Sequence, residues 1–115
     1  MTESRDVPVD QVTIGHVTIR EVGPRDGLQS EQPVSAAERA RLIDALAATG
    51  VRHIEAVSFV SPKAVPAMAD PDAVLAAIDR KAGITWWALV PNRRGADMAV
   101  AAGIDALTVT ISADT

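Results

Sequence analysis

The chain contains no cysteine. That excludes a disulfide framework, a thiolate metal site and thiol catalysis, and it favours the cytoplasm over an oxidising compartment. No apolar run approaches the roughly 20 residues of a membrane span. There is no basic excess either: 11 Lys and Arg stand against 15 Asp and Glu, for a net charge of −4. The electrostatic footprint of a nucleic-acid binder is therefore missing, and neither a membrane nor a nucleic acid is expected as a partner. The first ten residues lack the basic start and apolar centre of a secretory signal, and they do not read as a transit peptide. Residues 1–11 are taken as a flexible tail. With 115 residues in all, the remainder (12–115) makes at most one small domain.

What is present is an alternation of strand-like and helix-like stretches. Val17 to Val22 reads as a first strand, with Val17, Ile19 and Glu21 on one face and Thr18, Arg20 and Val22 on the other. Ser35 with Glu38 three positions on forms a capping box. The helix it opens runs from Ala36 to Thr49, carries Leu42, Ile43, Leu46 and Ala47 at helical spacing, and ends at Gly50. Val51 to Phe59 is a second strand. Asp70-Pro71 then supplies a cap and a first-turn proline to a helix that buries Val74, Leu75 and Ile78. Ile84 to Val90 is a third strand, stopped by Pro91. Asn92 caps a helix to about Ala102, Gly103 ends it, and Ile104 to Ser112 is a fourth strand with Leu107, Val109 and Ile111 on one face. Such alternation with short connections predicts βαβ units and a parallel sheet. Trp86 and Trp87 fall on opposite faces of the third strand and are read as packing residues. His16 and His53 sit at the amino ends of strands, away from the rim where ligands bind.

The stretch that organises the rest runs from Val17 to Gln29 and ends in the long string Glu21-Val22-Gly23-Pro24-Arg25-Asp26-Gly27-Leu28-Gln29. Proline stops the strand, because it fixes φ and lacks a ladder donor. Gly27 is expected to give the backbone room to turn. A guanidinium and a carboxylate are thus placed together at the carboxyl end of a strand, where ligands bind in parallel α/β proteins. Alone, an Arg-Asp-Gly tripeptide reads as a solvated turn whose ion pair contributes about 0–1 kcal/mol. Glu55, inside the second strand, is open between two faces, since alternation with His53 and Val57 does not decide it.

The long string, followed by Ile54-Glu55 and Ser58-Phe59-Val60-Ser61-Pro62-Lys63, closely resembles the hydroxymethylglutaryl-CoA lyase family over about Val12 to Leu107. That resemblance implies an α/β fold forming the first half, about four βα units, of a TIM (β/α)8 barrel. It implies cleavage of 3-hydroxy-3-methylglutaryl-CoA to acetoacetate and acetyl-CoA, a ketone-body-forming step of leucine degradation. It also implies roles: Arg25 stabilises the enolate formed on acetyl-CoA, Asp26 binds a divalent metal (Mg²⁺ or Mn²⁺), and Glu55 lies near both. Ser58 would line the pocket. Lys63 is open between attracting the phosphates of an acyl-CoA substrate and being a solvated loop residue. Gln29 would either contact substrate or tie the loop together.

The synthase branch of the superfamily carries Thr-Leu before Arg-Asp-Gly, and Gly-Pro here favours the lyase. The family's His-x-His motif, asparagine and loop cysteine do not occur, and Gln32 stands near the place of a family lysine. The expectation is a half-barrel with open edges that associates with itself or with a missing carboxyl-terminal half, inactive alone. The alternatives are a non-catalytic remnant or assembly subunit of a split barrel, and a lyase for a longer branched 3-hydroxyacyl-CoA.

Overall fold

A computed structural model describes residues 15–111, so the expected tail at 1–11 lies outside the described residues. Among the described residues, four strands form one parallel sheet in the order β1-β2-β3-β4: β1 Arg20–Glu21, β2 His53–Ser58, β3 Thr85–Val90 and β4 Ala106–Val109. Between them run α1 (Ala36–Ala47), α2 (Pro71–Ala77) and α3 (Arg93–Ala101). Each strand lies beside its sequence neighbour, as in a (β/α)8 barrel. An open doubly wound sheet would reverse its order at a switch point.

The first strand is shorter than its pattern suggests. Only Arg20 and Glu21 find partners, His53 and Ile54, while Val17 and Ile19 are 80% and 68% exposed. The strand gives way to a π-helical turn over Gly23–Gly27 rather than to a simple stop. In that turn the amides of Arg25 and Asp26 both donate to the Val22 carbonyl.

Helix α1 begins as expected, with Ser35 Oγ accepting from the Glu38 amide at 3.1 Å. Its buried stripe is Arg39, Ala40, Ile43 and Ala47, whereas Leu42 stays exposed, so the helix is rotated from the expected face. Arg39 Nη1 donates to the Ala69 carbonyl at 2.6 Å and ties α1 to the segment before α2. Burial pushes the Arg39 guanidinium below its usual value, and nearby Asp70 pushes it partly back. Asp70 does not cap α2 with its side chain. It adopts a left-handed conformation (φ 56°) that short polar residues tolerate. Asn92, in contrast, does cap α3, accepting from the Gly95 amide at 2.8 Å. Asn92→Ala is expected to cost about 1 kcal/mol, read from the denaturation midpoint.

The core lies between the helices and the outer face of the sheet. Ile54, Ala56, Val57, Phe59, Trp86, Ala88 and Val90 meet Ile43, Val74, Leu75, Ile78 and Ala99 there. The inner face follows from the register: Arg20 beside His53 beside Thr85, then Glu55 beside Trp87 beside Ala106, then Ser58 beside Leu89 beside Thr108. A β-bulge at Ala56 lets Glu55 and Val57 point to opposite faces.

Candidate active site

Glu55 is the centre of the inner face and is fully buried. A buried carboxylate is costly unless it is paired and hydrogen-bonded. Arg25 Nε donates to Oε2, Thr108 Oγ1 donates to Oε1 at 2.7 Å, and Arg20 Nε lies 3.9 Å from Oε1. Both oxygens are therefore engaged by hydrogen bonds. The Arg20 guanidinium also stacks over the Trp87 ring, 4.1 Å from its centroid, a cation–π arrangement. Trp87 Nε1 donates in turn to His53 Nδ1 at 3.1 Å.

The turn after β1 delivers Arg25 to this centre. Pro24 is buried beneath it, and Glu21 Oε2 accepts from the Gly23 amide at 2.9 Å, which anchors the turn's start. Arg25 Nη1 donates to Gln29 Oε1 at 3.2 Å and to Asp26 Oδ1 at 3.3 Å. Arg25 is only 17% exposed at its side chain, while Asp26 is 65% exposed. The guanidinium is thus held inward by Glu55 and Gln29, and the neighbouring carboxylate is left at the rim. Among the described residues, Arg25 Nη2 makes no hydrogen bond, which leaves N–H groups for an incoming anion.

Arg25 therefore meets Asp26, Gln29 and Glu55 at one place. Ser58 shares the inner face, and its buried Oγ has no hydrogen-bond partner among the described residues. Lys63 is exposed on the loop after β2, and no hydrogen bond or ion pair among the described residues joins it to the cluster. Gly27 departs from its expected role. It has no positive φ, and a Cβ there would meet nothing within 4 Å, so the turn does not depend on a glycine at this position. Gly27→Ala should leave stability within about 0.5 kcal/mol, and a midpoint loss above about 1 kcal/mol would contradict that open space. Thr108 and Arg20 were not singled out by motif. The signal for Thr108 was its alternation against Leu107 and Val109, and for Arg20 its face opposite Ile19.

The chemistry of Asp26 suits a hard divalent cation. It is a single donor, however. Among the described residues no three His, Asp or Glu side chains gather to hold an ion, and the oxygens of Glu55 are already committed.

Residues 16–115 match the family model described as HMGL-like. The chain is 52% identical over 98 residues to a hydroxymethylglutaryl-CoA lyase of Pseudomonas mevalonii, covering 84% of this chain and 33% of that protein. It is 47% identical, with the same coverage, to a 3-hydroxy-3-isohexenylglutaryl-CoA/hydroxymethylglutaryl-CoA lyase of Pseudomonas aeruginosa. Among solved structures, a hydroxymethylglutaryl-CoA lyase from Pseudomonas aeruginosa superposes with a TM-score of 0.78 at 47% identity, covering 81% of this chain and 31% of that one. An HMG-CoA lyase from Acinetobacter baumannii, in complex with coenzyme A and 3-methylmalate, gives 0.81 at 41% identity, covering 84% and 32%. The chain spans about a third of the length of the curated relatives it matches.

Proposed function

This chain belongs to the HMGL-like family, and from that premise we propose that it forms the first βα units of a carbon–carbon lyase acting on 3-hydroxy-3-methylglutaryl-CoA. The single observation that carries the reading is Arg25, held inward by Glu55 and Gln29 with Nη2 uncommitted among the described residues. Transfer of the 3-hydroxyl proton to a general base supplied from outside the described residues lets the C2–C3 bond break, giving acetoacetate. The bonding pair moves onto the acetyl-CoA fragment as an enolate, which then takes up a proton. Negative charge develops on the thioester oxygen, and a fixed guanidinium beside it stabilises the transition state by several kcal/mol (about 3–4). Glu55 orients that guanidinium, and Gln29 steadies its Nη1.

Asp26 would contribute one oxygen to a divalent metal, Mg²⁺ or Mn²⁺, with its other donors drawn from outside the described residues. Such an ion polarises substrate oxygens when bound. Ser58 would offer substrate its hydroxyl, which has no partner among the described residues, and Lys63 would meet the phosphates of the CoA moiety. With this reading go a cytoplasmic enzyme of leucine degradation, a domain over residues 12–115, and association through the outer strands. Val17 and Ile19 beside β1, and Val109 and Ile111 at β4, are exposed apolar residues on those edges. A relative whose printed name includes the isohexenylglutaryl-CoA substrate keeps a longer branched acyl group as the second reading.

The test mixes this chain with the complementary two-thirds of a matching lyase and assays acetoacetate from the CoA ester with added Mg²⁺. Product from the mixture and from neither part alone is the expected result. Equal product from a mixture carrying Arg25→Ala would overturn the assignment.

A further inference from the structure

Arg25 is aimed by Glu55, but a carboxylate anchored at one oxygen still turns about its last torsion, which is broad and roughly two-fold. The second anchor comes from a distant strand. Thr108 lies on β4, with β3 between it and β2, and its hydroxyl crosses the inner face to Oε1 at 2.7 Å. That length is typical for a hydroxyl donating to oxygen, and a charged acceptor strengthens the bond. The other candidate for the same oxygen is Arg20 Nε. At 3.9 Å it is too far for a hydrogen bond, and its guanidinium is occupied over Trp87.

We propose that Thr108 is a positioning residue for Arg25, acting through Glu55: its hydroxyl fixes Oε1, so that Oε2 is committed to Arg25 Nε and the guanidinium keeps one orientation. Without the hydroxyl, Oε1 is open to Arg20, and two cations then compete for one carboxylate. Thr108 thereby joins β4 to the turn after β1 through a residue of β2. The inference rests on the reading of Arg25 as the charge-stabilising group, but its geometry can be measured without turnover.

The experiment follows the Arg25 Nε–H resonance in the 15N-labelled chain, assigned by its disappearance in Arg25→Lys. The wild-type signal should exchange slowly with solvent. Thr108→Val keeps the shape and removes the donor, and it should speed that exchange about tenfold, the loss of roughly one hydrogen bond to a charged group. Thr108→Ser should restore the wild-type rate. A merely structural role would move exchange only in step with the denaturation midpoint, which is recorded for each variant. An unchanged Arg25 signal in folded Thr108→Val, or a serine variant as fast as the valine one, overturns the proposal. If Thr108→Val does not fold, Thr108→Ala takes its place with the same outcomes, and failure of both to fold overturns the positioning role in favour of a structural one. A reconstituted mixture that yields no acetoacetate would defeat the function proposed above and leave this measurement standing. Rapid exchange in the wild type would do the reverse.

Discussion

Replacing Arg25 with methionine is expected to destabilise the fold by about 3–5 kcal/mol, because it removes the hydrogen-bonded cation from a buried carboxylate whose other cation, Arg20, lies 3.9 Å away. Glu55 is fully buried and Arg25 is 17% exposed, so the lower half of that range is the better expectation. Glu55→Leu should cost somewhat less, because Arg25 Nε loses its acceptor while Nη1 keeps Asp26 Oδ1 and Gln29 Oε1. The informative variant combines the two. An ion pair in a low-dielectric interior is costly to desolvate, and replacing both members with apolar groups is often near neutral. The double variant should therefore be more stable than either single one, which is the signature of direct coupling. Urea denaturation of the four proteins closes the cycle. Additive losses would mean that the two side chains do not meet as described. All three variants should be catalytically dead in the reconstituted assay, even where the double one recovers stability.

Trp86→Ala carries the other large effect. Trp86 is 3% exposed and packs into the core between sheet and helices. Removing so large a buried ring costs about 3–5 kcal/mol, depending on how far the cavity collapses. Trp86 Nε1, however, has no hydrogen-bond partner among the described residues. Trp86→Phe keeps most of the ring and removes that orphaned donor, so its cost should stay below about 1.5 kcal/mol. Thermal unfolding separates the two outcomes, with Trp87 left as the fluorescent reporter. A phenylalanine variant as damaged as the alanine one would show that the indole is satisfied after all.

The contrast between legible and illegible features has physical causes. Helix ends were readable because capping is local: Ser35 and Asn92 each bind an amide three residues on, and spacing alone shows it. Asp70 had the same signature and failed it, because its backbone turned left-handed and carried the carboxylate away from the helix amides. The Arg25 cluster was readable through a specific string of residues. Its long-range partners were not. Thr108 lies 53 positions from Glu55, and nothing in a strand of alternating residues tells which distant side chain will cross the sheet to meet it. The facing of Glu55 stayed open in sequence for a definite reason. Period-two counting assumes an uninterrupted strand, and the ladder slips between Glu55 and Val57.

That slip has a consequence for the whole strand. An uninterrupted strand that buried Glu55 inward would also drive Val57 and Phe59 in among the polar groups and turn Ser58 toward the helices. Ala56 acts as a phase shifter: with it in the chain, regular alternation could not keep Glu55 on one side and Val57 on the other. Excising Ala56, which removes the offset while leaving Glu55, Val57, Ser58 and Phe59 each on its present side, would therefore disturb the pattern less than inserting any residue beside it.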